Sequence, residues 1–490
     1  MNRTFRTLLI LAALLICCTL PALGAEAQYG DAAVEAEGFS RPQNLCDGSR
    51  ANSASADGSA AVTVSREGGI AGLYIEFDRL PQPWTLADPA GGNTLTCGEN
   101  GFLHEYVDVS ALGTALPKAL TLSFPEGAAI GELYVFSQGE LPGWVQIWEP
   151  PCEKADLLLL SSHSDDEQLF FAGVLPYYAV ERQLQVQVAY VVQHFADRQR
   201  PHEQLDGLWT VGVRHYPVMS QFPDLYAESK DRDTALSQAL SVYGAAGYAY
   251  EDFVDYITWC LRRFQPLVVV SHDLDGEYGH GTHVLCAAAL GDALTRAADP
   301  AQDPDTAAEY GAWQVEKTYL HLYPENPITM DWDTPLESLG GKTPFEVTQE
   351  GFGCHKSQHW TWFYRWIYGT SSSPIRRAAD ITTYSPCRYG LFDTQVGPDV
   401  TGGDFFENVE TYAQRAEAER LAAEQAEAER LAREEAERLA AEQAEAERQA
   451  ALQAQQEAQA QRRLWIAAGC AAAVVCGIVL VRLVLRRRRR

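Results

Sequence analysis

The pattern of apolar and polar residues changes several times along the chain, and it predicts a multidomain protein. From residue 28 to 151, short alternating runs are separated by Gly, Pro, Asp and Asn, which is typical of an all-β sandwich. From 152 to 403, unbroken apolar runs alternate with helical patterns, which favours an α/β domain. Residues 404–463 are rich in Ala, Glu and Arg without Gly or Pro, and residues 464–485 are mostly apolar.

The same periodicity places individual elements. In the sandwich it predicts strands at 61–65, 72–77, 105–109, 119–124 and 131–136. In the α/β region it predicts buried strands at 157–160, 185–192 and 266–270, and an edge strand at 318–323. Helices are predicted there at 168–178, 204–212, 231–243, 252–264 and 284–294.

Side chains that bind metals follow two of the buried strands. His163, Asp165 and Asp166 come after the first of these strands, and His280 and His283 come after the third. Ligand sites of open α/β sheets lie at the carboxyl ends of the strands, so we expect these residues to converge. A hydrolytic zinc site uses three protein ligands of the imidazole and carboxylate type and leaves one position for water. His163, Asp166 and His283 fit that count.

The neighbouring polar residues predict the rest of a hydrolytic site. Asp165 points away from its neighbour Asp166, so it is expected to act as a general base toward the bound water. Zinc lowers the pKa of such a water to about 7. His280 lies three residues before His283 and is expected to stabilise an oxyanion.

These motifs resemble the PIG-L/LmbE family of metal-dependent N-acetylglucosamine deacetylases. The resemblance covers residues 153–368 and implies a Rossmann-like three-layer α/β/α domain at 152–403. It also implies one zinc ion per chain, or another divalent metal in its place. It is carried by His163, Asp165, Asp166 and Glu167 in one segment and by Tyr278, His280 and His283 in the other.

The resemblance assigns roles residue by residue. It implies that His163, Asp166 and His283 are the zinc ligands and that Asp165 is the base. It also implies the positions of a second group of residues. These are Tyr278 and His280 around the substrate carbonyl, Arg200 and Glu203 near the sugar pocket, and a late His-x-Ser-Gln segment within 354–358.

Two positions depart from the family pattern. Ser164 stands where Pro is usual, and Thr282 stands where Asp is usual between the two histidines. Neither residue is a predicted ligand. The second departure bears on the orientation of His280, and therefore on rate more than on metal binding.

The region 28–151 resembles a discoidin-type, galactose-binding-like domain. The resemblance rests on Asp47, Gly48 and Ser49 near its start and on residues 130–136 near its end. Two interpretations remain open, a carbohydrate-binding module and a module that serves packing or spacing. Because secreted proteins use disulfides, the two cysteines of this region, Cys46 and Cys97, are expected to form a bridge.

Several other candidate residues favour structural roles. The aromatic segment 359–366 is interpreted as core rather than as a surface that stacks on a sugar. The same interpretation, structural or solvated, applies to six further histidines, which are His194, His202, His215, His272, His321 and His359.

Charge and the chain ends predict location. A formal charge of −28 excludes nucleic acid as a partner. Residues 1–27 are predicted to be a secretory signal. Residues 404–463 favour a solvated single-helix stalk, because charged pairs recur at i,i+3 and i,i+4 while the leucines keep no seven-residue period. Residues 464–485 predict one transmembrane helix. The arginines at 486–490 predict a cytoplasmic tail and an extracellular ectodomain anchored in the cell membrane.

The sequence thus predicts a zinc-dependent hydrolase that removes N-acetyl groups from N-acetylglucosamine-type sugars, as glycans or glycoconjugates, at the cell surface. One alternative is a metal amidase that acts on another amide. A second is a carbohydrate-binding or adhesion protein with an inactive deacetylase domain. The complete set of predicted ligands, together with Asp165, argues against the second alternative, because binding alone needs no general base.

Overall fold

The structure is a computed structural model that describes residues 25–113 and 115–489. The predicted secretory signal, 1–27, lies almost entirely outside the described residues and stays a prediction. The described residues form two compact units, which divide after Thr411.

The N-terminal region folds into two antiparallel sheets made of nine strands. These are β1 (Ala33–Glu37), β2 (Ala54–Ala56), β3 (Ala60–Ser65), β4 (Gly72–Phe77), β5 (Trp84–Ala87), β6 (Thr94–Cys97), β7 (His104–Asp108), β8 (Ala119–Phe124) and β9 (Ala128–Phe136). One sheet has the order β1-β3-β8-β5-β6, and the other has the order β2-β9-β4-β7. Phe77 of β4 and Phe124 of β8 join the two sheets, with ring centroids 6.4 Å apart.

The five predicted strands of this region correspond to β3, β4, β7, β8 and β9, with small shifts at their ends. Sequence analysis missed β1, β2, β5 and β6. Three of these, β1, β2 and β6, lie at sheet edges. The side chains of β1 and β6 are mostly not buried, so their apolar pattern is faint, and β2 is only three residues long.

The predicted bridge between Cys46 and Cys97 is wrong in this structure, where both cysteines are free. The Cys46 thiol donates to the carbonyl of Leu133 at 3.3 Å, whereas Cys97 ends strand β6 and its sulfur lies 4.0 Å from the carbonyl of Leu95. Burial raises the pKa of the Cys97 thiol to about 12, so this thiol stays protonated at neutral pH.

The α/β region is built on a seven-stranded sheet. Its strands are β10 (Leu157–Ser161), β11 (Val186–Gln193), β12 (Val218–Pro223), β13 (Val268–Ser271), β14 (Lys317–His321), β15 (Pro327–Thr329) and β18 (Arg388–Thr394). Strands β16 (Gly369–Thr370) and β17 (Ser373–Pro374) form a separate short hairpin. The order is β12-β11-β10-β13-β14-β18-β15. The first five strands of that order are parallel, β18 is antiparallel to β14, and β15 is antiparallel to β18.

The strand predicted at 318–323 is β14, but it is not an edge strand. It pairs with β13 on one side and with β18 on the other. Strand β18 escaped prediction because Gly390 interrupts its apolar run. A Cβ at Gly390 would lie 2.3 Å from the carbonyl oxygen of Tyr323, so the close approach of two backbones requires glycine there.

Seven helices accompany the sheet: α1 (Arg200–Thr210), α2 (Arg232–Ala245), α3 (Tyr250–Phe264), α4 (Gly281–Ala298), α5 (Pro304–Tyr310), α6 (Pro344–Phe352) and α7 (Trp362–Tyr368). Alternate strand residues such as Leu158, Val269 and Leu320 share one buried cluster with α2, α3 and α4. On the other face, Tyr319 packs against Phe405 at 4.7 Å between ring centroids.

The helix predicted at 168–178 is wrong over most of its length. The chain forms successive turns there, followed by a π-helix at Pro176–Glu181. Gly173 explains the break, because its φ is 90° and a Cβ at that position would lie 2.4 Å from the Trp332 ring. The chain therefore bends where it passes over Trp332.

The sandwich packs against helix α1 and the loop after it. The Phe102 ring stacks on Tyr216 with a centroid distance of 4.3 Å. Nε2 of His104 lies 2.7 Å from Nδ1 of His202, and both rings are buried. These contacts favour the packing interpretation of the N-terminal region.

The C-terminal unit is one continuous helix, α8 (Tyr412–Arg487). Arg420 and Arg430 each pair with glutamates three residues before and four residues after them. The helix contains an apolar stretch long enough to cross a membrane. It begins later than the predicted stalk, because Phe405 is buried in the α/β region and the carboxylate of Asp404 accepts a hydrogen bond from the Tyr178 hydroxyl at 3.0 Å.

We expect the sandwich and the α/β region to unfold together, since they share this buried interface. Phe102→Ala removes a ring that is 6% exposed and should lower the free energy of unfolding by about 3–5 kcal/mol. Chemical denaturation, followed by fluorescence, measures the effect. Leu80→Ala is the control, because Leu80 is 47% exposed, and it should change the free energy by less than about 0.5 kcal/mol. Two separate transitions, of which only one shifts, would contradict the prediction.

Candidate metal centre

The candidate site forms where two neighbouring strands end. Strands β10 and β13 are adjacent and parallel, with Leu159 opposite Val270. His163 and Asp166 lie in the loop after β10, and His283 lies in the first turn of α4, after β13. The register therefore brings the two sequence motifs to one edge of the sheet.

The three predicted ligands lie together. Nδ1 of His163 is 3.1 Å from Oδ2 of Asp166 and 3.1 Å from Nε2 of His283, and the last two atoms are 3.3 Å apart. All three side chains are buried. Zinc bonds of about 2.0–2.1 Å in tetrahedral geometry place ligand atoms roughly 3.3 Å apart. The arrangement thus fits a small divalent cation.

Two further histidines lie within reach of the same centre. Ligand-type atoms of His163, His280 and His283 lie within 4.8 Å of one another, and so do those of Asp166, His272 and His283. His272 has both ring nitrogens engaged, because Nε2 accepts the backbone N–H of Ser162 at 2.8 Å and Nδ1 faces Glu277. The carboxylate together with the two uncommitted nitrogens of His163 and His283 therefore makes the better set.

The electrostatics of the cluster favour a bound cation. Burial alone disfavours the charged form of His163, but Asp224 and Asp166 raise its pKa to about 10. Burial likewise opposes the charged form of His283, and Asp166 raises its pKa to about 9. The carboxylates of Asp166 and Asp224 thus attract positive charge strongly, and a divalent metal supplies that charge without protons on its ligands.

Glu277 orients the candidate ligand His283, and it was not predicted from the sequence. Its Oε2 lies 2.7 Å from Nδ1 of His283 and 2.8 Å from Nδ1 of His272, while Oε1 lies 2.7 Å from Nδ1 of His321. Burial alone raises the pKa of Glu277, but the imidazoles hold it well below its usual range. The Nδ1–H of His283 donates to this carboxylate, which directs the Nε2 lone pair toward His163 and Asp166.

Asp165 is held in a strained backbone conformation beside the ligands. Its φ is 132°, and its N–H donates to Oε2 of Glu167 at 2.9 Å. Arg200 donates to the carbonyl of Ser164 at 2.9 Å and lies 3.5 Å from Oδ1 of Asp165. Burial raises the pKa of Asp165 to about 7, although Arg200 lowers it.

Asp224 is a second residue that sequence analysis missed. It follows β12, and its carboxylate lies 3.3 Å from Nε2 of His163, 3.3 Å from Nε2 of His194 and 3.6 Å from the Arg200 guanidinium. These contacts hold its pKa below the usual range, although burial alone would raise it. Strand β12 was not predicted, so the acidic residue at its end gave no signal.

His280 and Tyr278 lie against the ligands. The His280 ring is 4.7 Å from that of His163, and the backbone N–H of Thr282 donates to its Nδ1 at 3.3 Å. The proton of His280 therefore resides on Nε2, and burial lowers its pKa, so the ring is neutral. The side-chain hydroxyl of Thr282, in contrast to its backbone N–H, contacts Tyr243, with 3.5 Å between the two hydroxyl oxygens. The Tyr278 ring is 5.5 Å from that of His280.

The two predicted sugar-pocket residues have different surroundings. Arg200 reaches Asp165 and Asp224, next to the candidate ligands. Glu203 instead accepts hydrogen bonds from Ser357, at 2.9 Å from the backbone N–H and 2.5 Å from the hydroxyl. The structure thus joins the predicted late segment to helix α1, and Glu203 is committed to that contact.

The interpretation of the aromatic segment 359–366 as core is wrong, because none of its residues is buried and three of its aromatic side chains are exposed. Trp360 is 85% exposed, Trp362 is 45% exposed and Tyr364 is 41% exposed. Aromatic content reports how apolar a segment is but not which way its side chains point. Trp362 lies beside the candidate site, with its ring centroid 5.6 Å from that of Tyr278.

Comparison with known proteins confirms the resemblance to deacetylases. No family model matches the chain. It is 34% identical over 95 residues to 1D-myo-inositol 2-acetamido-2-deoxy-alpha-D-glucopyranoside deacetylase of Geodermatophilus obscurus, covering 19% of this chain and 31% of that protein. It is 26% identical over 197 residues to deacetylase 1 of that name from Catenulispora acidiphila, covering 36% and 59%. The match thus spans less than two thirds of either relative.

Solved structures show a distant likeness. N,N'-diacetylchitobiose deacetylase from Pyrococcus horikoshii is 14% identical, with 49% of this chain and 84% of that chain covered and a TM-score of 0.33. A teicoplanin deacetylase is 16% identical, with 41% and 84% covered and a TM-score of 0.28. These scores are too low to support an argument about function.

The role of Glu277 leads to a prediction about metal affinity. Glu277→Gln keeps the shape of the side chain but removes the charge that orients His283, so metal affinity should fall by about 10–100-fold. Titration with zinc in competition with a chelator measures it. Asp275→Asn is the matched control, because Asp275 is an exposed acid in the same loop. Equal affinities for the two variants would contradict the role of Glu277.

Proposed function

We propose that this protein is a zinc-dependent hydrolase that removes the N-acetyl group from N-acetylglucosamine-type sugars. The observation that carries the proposal is the buried triangle of His163, Asp166 and His283, with the carboxylate of Asp165 beside it. The names of the curated relatives support the substrate class, since they are deacetylases of a 2-acetamido-2-deoxy sugar. A purely binding protein has no need for a strained, buried base next to three ligands.

The residues divide the work of amide hydrolysis. A divalent metal, when bound, polarises the amide carbonyl and activates water. Asp165 takes the proton from the attacking water and delivers it to the departing nitrogen. His280, which carries its proton on Nε2, donates to the developing oxyanion. Arg200 fixes the direction of the Asp165 carboxylate.

We propose further that the protein is anchored in the cell membrane by residues 464–485, with the ectodomain outside. The apolar stretch within α8 supports the anchor. The arginines at 486–490 support the orientation, because positive charge is retained on the cytoplasmic side. A reporter inserted after residue 27 and a second one attached after residue 490, followed by protease protection in intact cells, test the topology.

The ligand assignment predicts metal content. The purified full-length protein should hold about one equivalent of zinc, and His283→Ala should hold much less, because one of three ligands is lost. Elemental analysis measures both. His359→Ala is the matched control, since the nearest hydrogen-bonding partner of that ring is the carbonyl of Phe352 at 3.3 Å. The same metal content in all three proteins would refute the assignment.

The assignment of Asp165 as the base predicts that substitutions of the two adjacent carboxylates, Asp165 and Asp166, have different effects on kcat and on metal content. Asp165→Asn should lower kcat by about 10²–10⁴ with little change in KM or metal content, because the new amide cannot accept the proton. Asp166→Asn should lose metal together with activity. Measurement of acetate release and zinc content for both variants decides the matter, and the opposite pattern would exchange the two roles.

A further inference from the structure

Two exposed aromatic rings flank the candidate site. Trp362, at the start of α7, is 45% exposed, and Tyr226, in the loop after β12, is 69% exposed. Large aromatic side chains contribute most when they are buried, and solvent-exposed apolar surface often marks a binding site. The exposure of either ring alone is ordinary, so the argument rests on the contacts that both rings make at the candidate site.

Both rings connect directly to the proposed catalytic residues. The Trp362 ring is 5.6 Å from Tyr278, whose ring is 5.5 Å from His280. The Tyr226 ring contacts the same His280 ring, with 5.6 Å between the ring centroids. Trp362 and Tyr226 thus lie on different elements. Tyr226 contacts the His280 imidazole directly, and Trp362 is connected to it through the Tyr278 ring. They extend the site outward.

The Trp362 ring is fixed in place before any ligand arrives. It contacts Phe363 at 4.4 Å, Trp366 at 6.4 Å and Tyr384 at 6.5 Å between centroids. The Thr361 hydroxyl caps the helix by accepting the N–H of Phe363 at 3.3 Å. A rigid aromatic surface loses little conformational entropy when a ligand covers it.

The polar groups of the candidate site indicate the chemistry of that ligand. Arg200 and Asp224 lie beside His163, and the Tyr226 hydroxyl donates to Glu228. A ligand here needs an apolar face for the rings and a hydroxyl-bearing edge for the charged groups. A pyranose ring has both, because its axial C–H bonds form an apolar face and its hydroxyls point outward. A lipid chain would leave the charged groups desolvated and without partners.

We propose that Trp362 and Tyr226 form the walls of a second sugar subsite, so that the substrate is an oligosaccharide or glycoconjugate with a further pyranose ring next to the N-acetylated one. This inference rests on the proposed deacetylase function. It adds that the enzyme prefers a substrate of two or more rings to a single sugar.

The test compares a one-ring probe with a two-ring probe on the full-length protein. The probes are N-acetylglucosamine and N,N'-diacetylchitobiose, and acetate release gives kcat and KM for each. Trp362→Ala should lower kcat/KM for the two-ring probe about tenfold more than for the one-ring probe, mainly through KM, since a ring contact of about 1.4 kcal/mol corresponds to a factor of ten. Tyr226→Ala should show the same selectivity.

Trp360→Ala is the matched control. Trp360 is two residues away, is 85% exposed and makes no ring contact with any residue in the described part of the chain. This variant should act on both probes as the wild type does. Equal losses on the two probes for Trp362→Ala and Tyr226→Ala would overturn the subsite, because the rings would then serve only the reacting sugar.

A binding measurement distinguishes a failure of the second sugar subsite from a failure of the proposed deacetylase function. If the wild type releases acetate from neither probe, the deacetylase function fails, and calorimetric binding of N,N'-diacetylchitobiose then tests the subsite alone. Weaker binding by Trp362→Ala than by Trp360→Ala supports the subsite. Equal binding, or no binding by the wild type, overturns it.

Discussion

The geometry of the candidate site depends on one buried carboxylate, that of Glu277. It is fully buried, and an unpaired carboxylate in that position would cost several kcal/mol. His272 from the loop after β13, His283 from α4 and His321 at the end of β14 each direct Nδ1 toward it. The same contacts that stabilise the charge tie three neighbouring elements together. The orientation of His283 is therefore part of the core of the fold and not of a mobile loop.

The loop after β10 shows the complementary situation, in which strain is stored beside the ligands. A residue other than glycine with φ of 132° costs about 1–3 kcal/mol. The backbone N–H of Asp165 donates to Glu167, and Arg200 lies 3.5 Å from the Asp165 carboxylate. These two contacts, one with the backbone and one with the side chain, offset the strain. In this conformation the carboxylate of Asp166 lies among the candidate ligands, whereas that of Asp165 lies 3.5 Å from the Arg200 guanidinium.

Much of this arrangement was predictable from sequence, and the exceptions have physical reasons. Unbroken runs of Leu and Val identify β10 and β13 because both faces of those strands are buried. The polar residues that follow were recognisable as ligands by their chemical type. Glu277 was missed because an acid in a Gly-rich loop resembles a solvated residue, and the sequence does not show that His272, His283 and the distant His321 all direct Nδ1 toward it. Asp224 was missed because the polar residues of β12 hide the strand.

The sandwich reaches the candidate site through helix α1 without contributing a ligand. Arg200 begins that helix and approaches Asp165, while Asp206, six residues later, accepts hydrogen bonds from Arg50 and Gln146 of the N-terminal region. At 1.5 Å per residue these two ends are only about 9 Å apart. A helix that short moves as a rigid body, so any shift of the sandwich would be transmitted to the guanidinium beside the base. The fixed docking of the N-terminal region is therefore a constraint on the site itself.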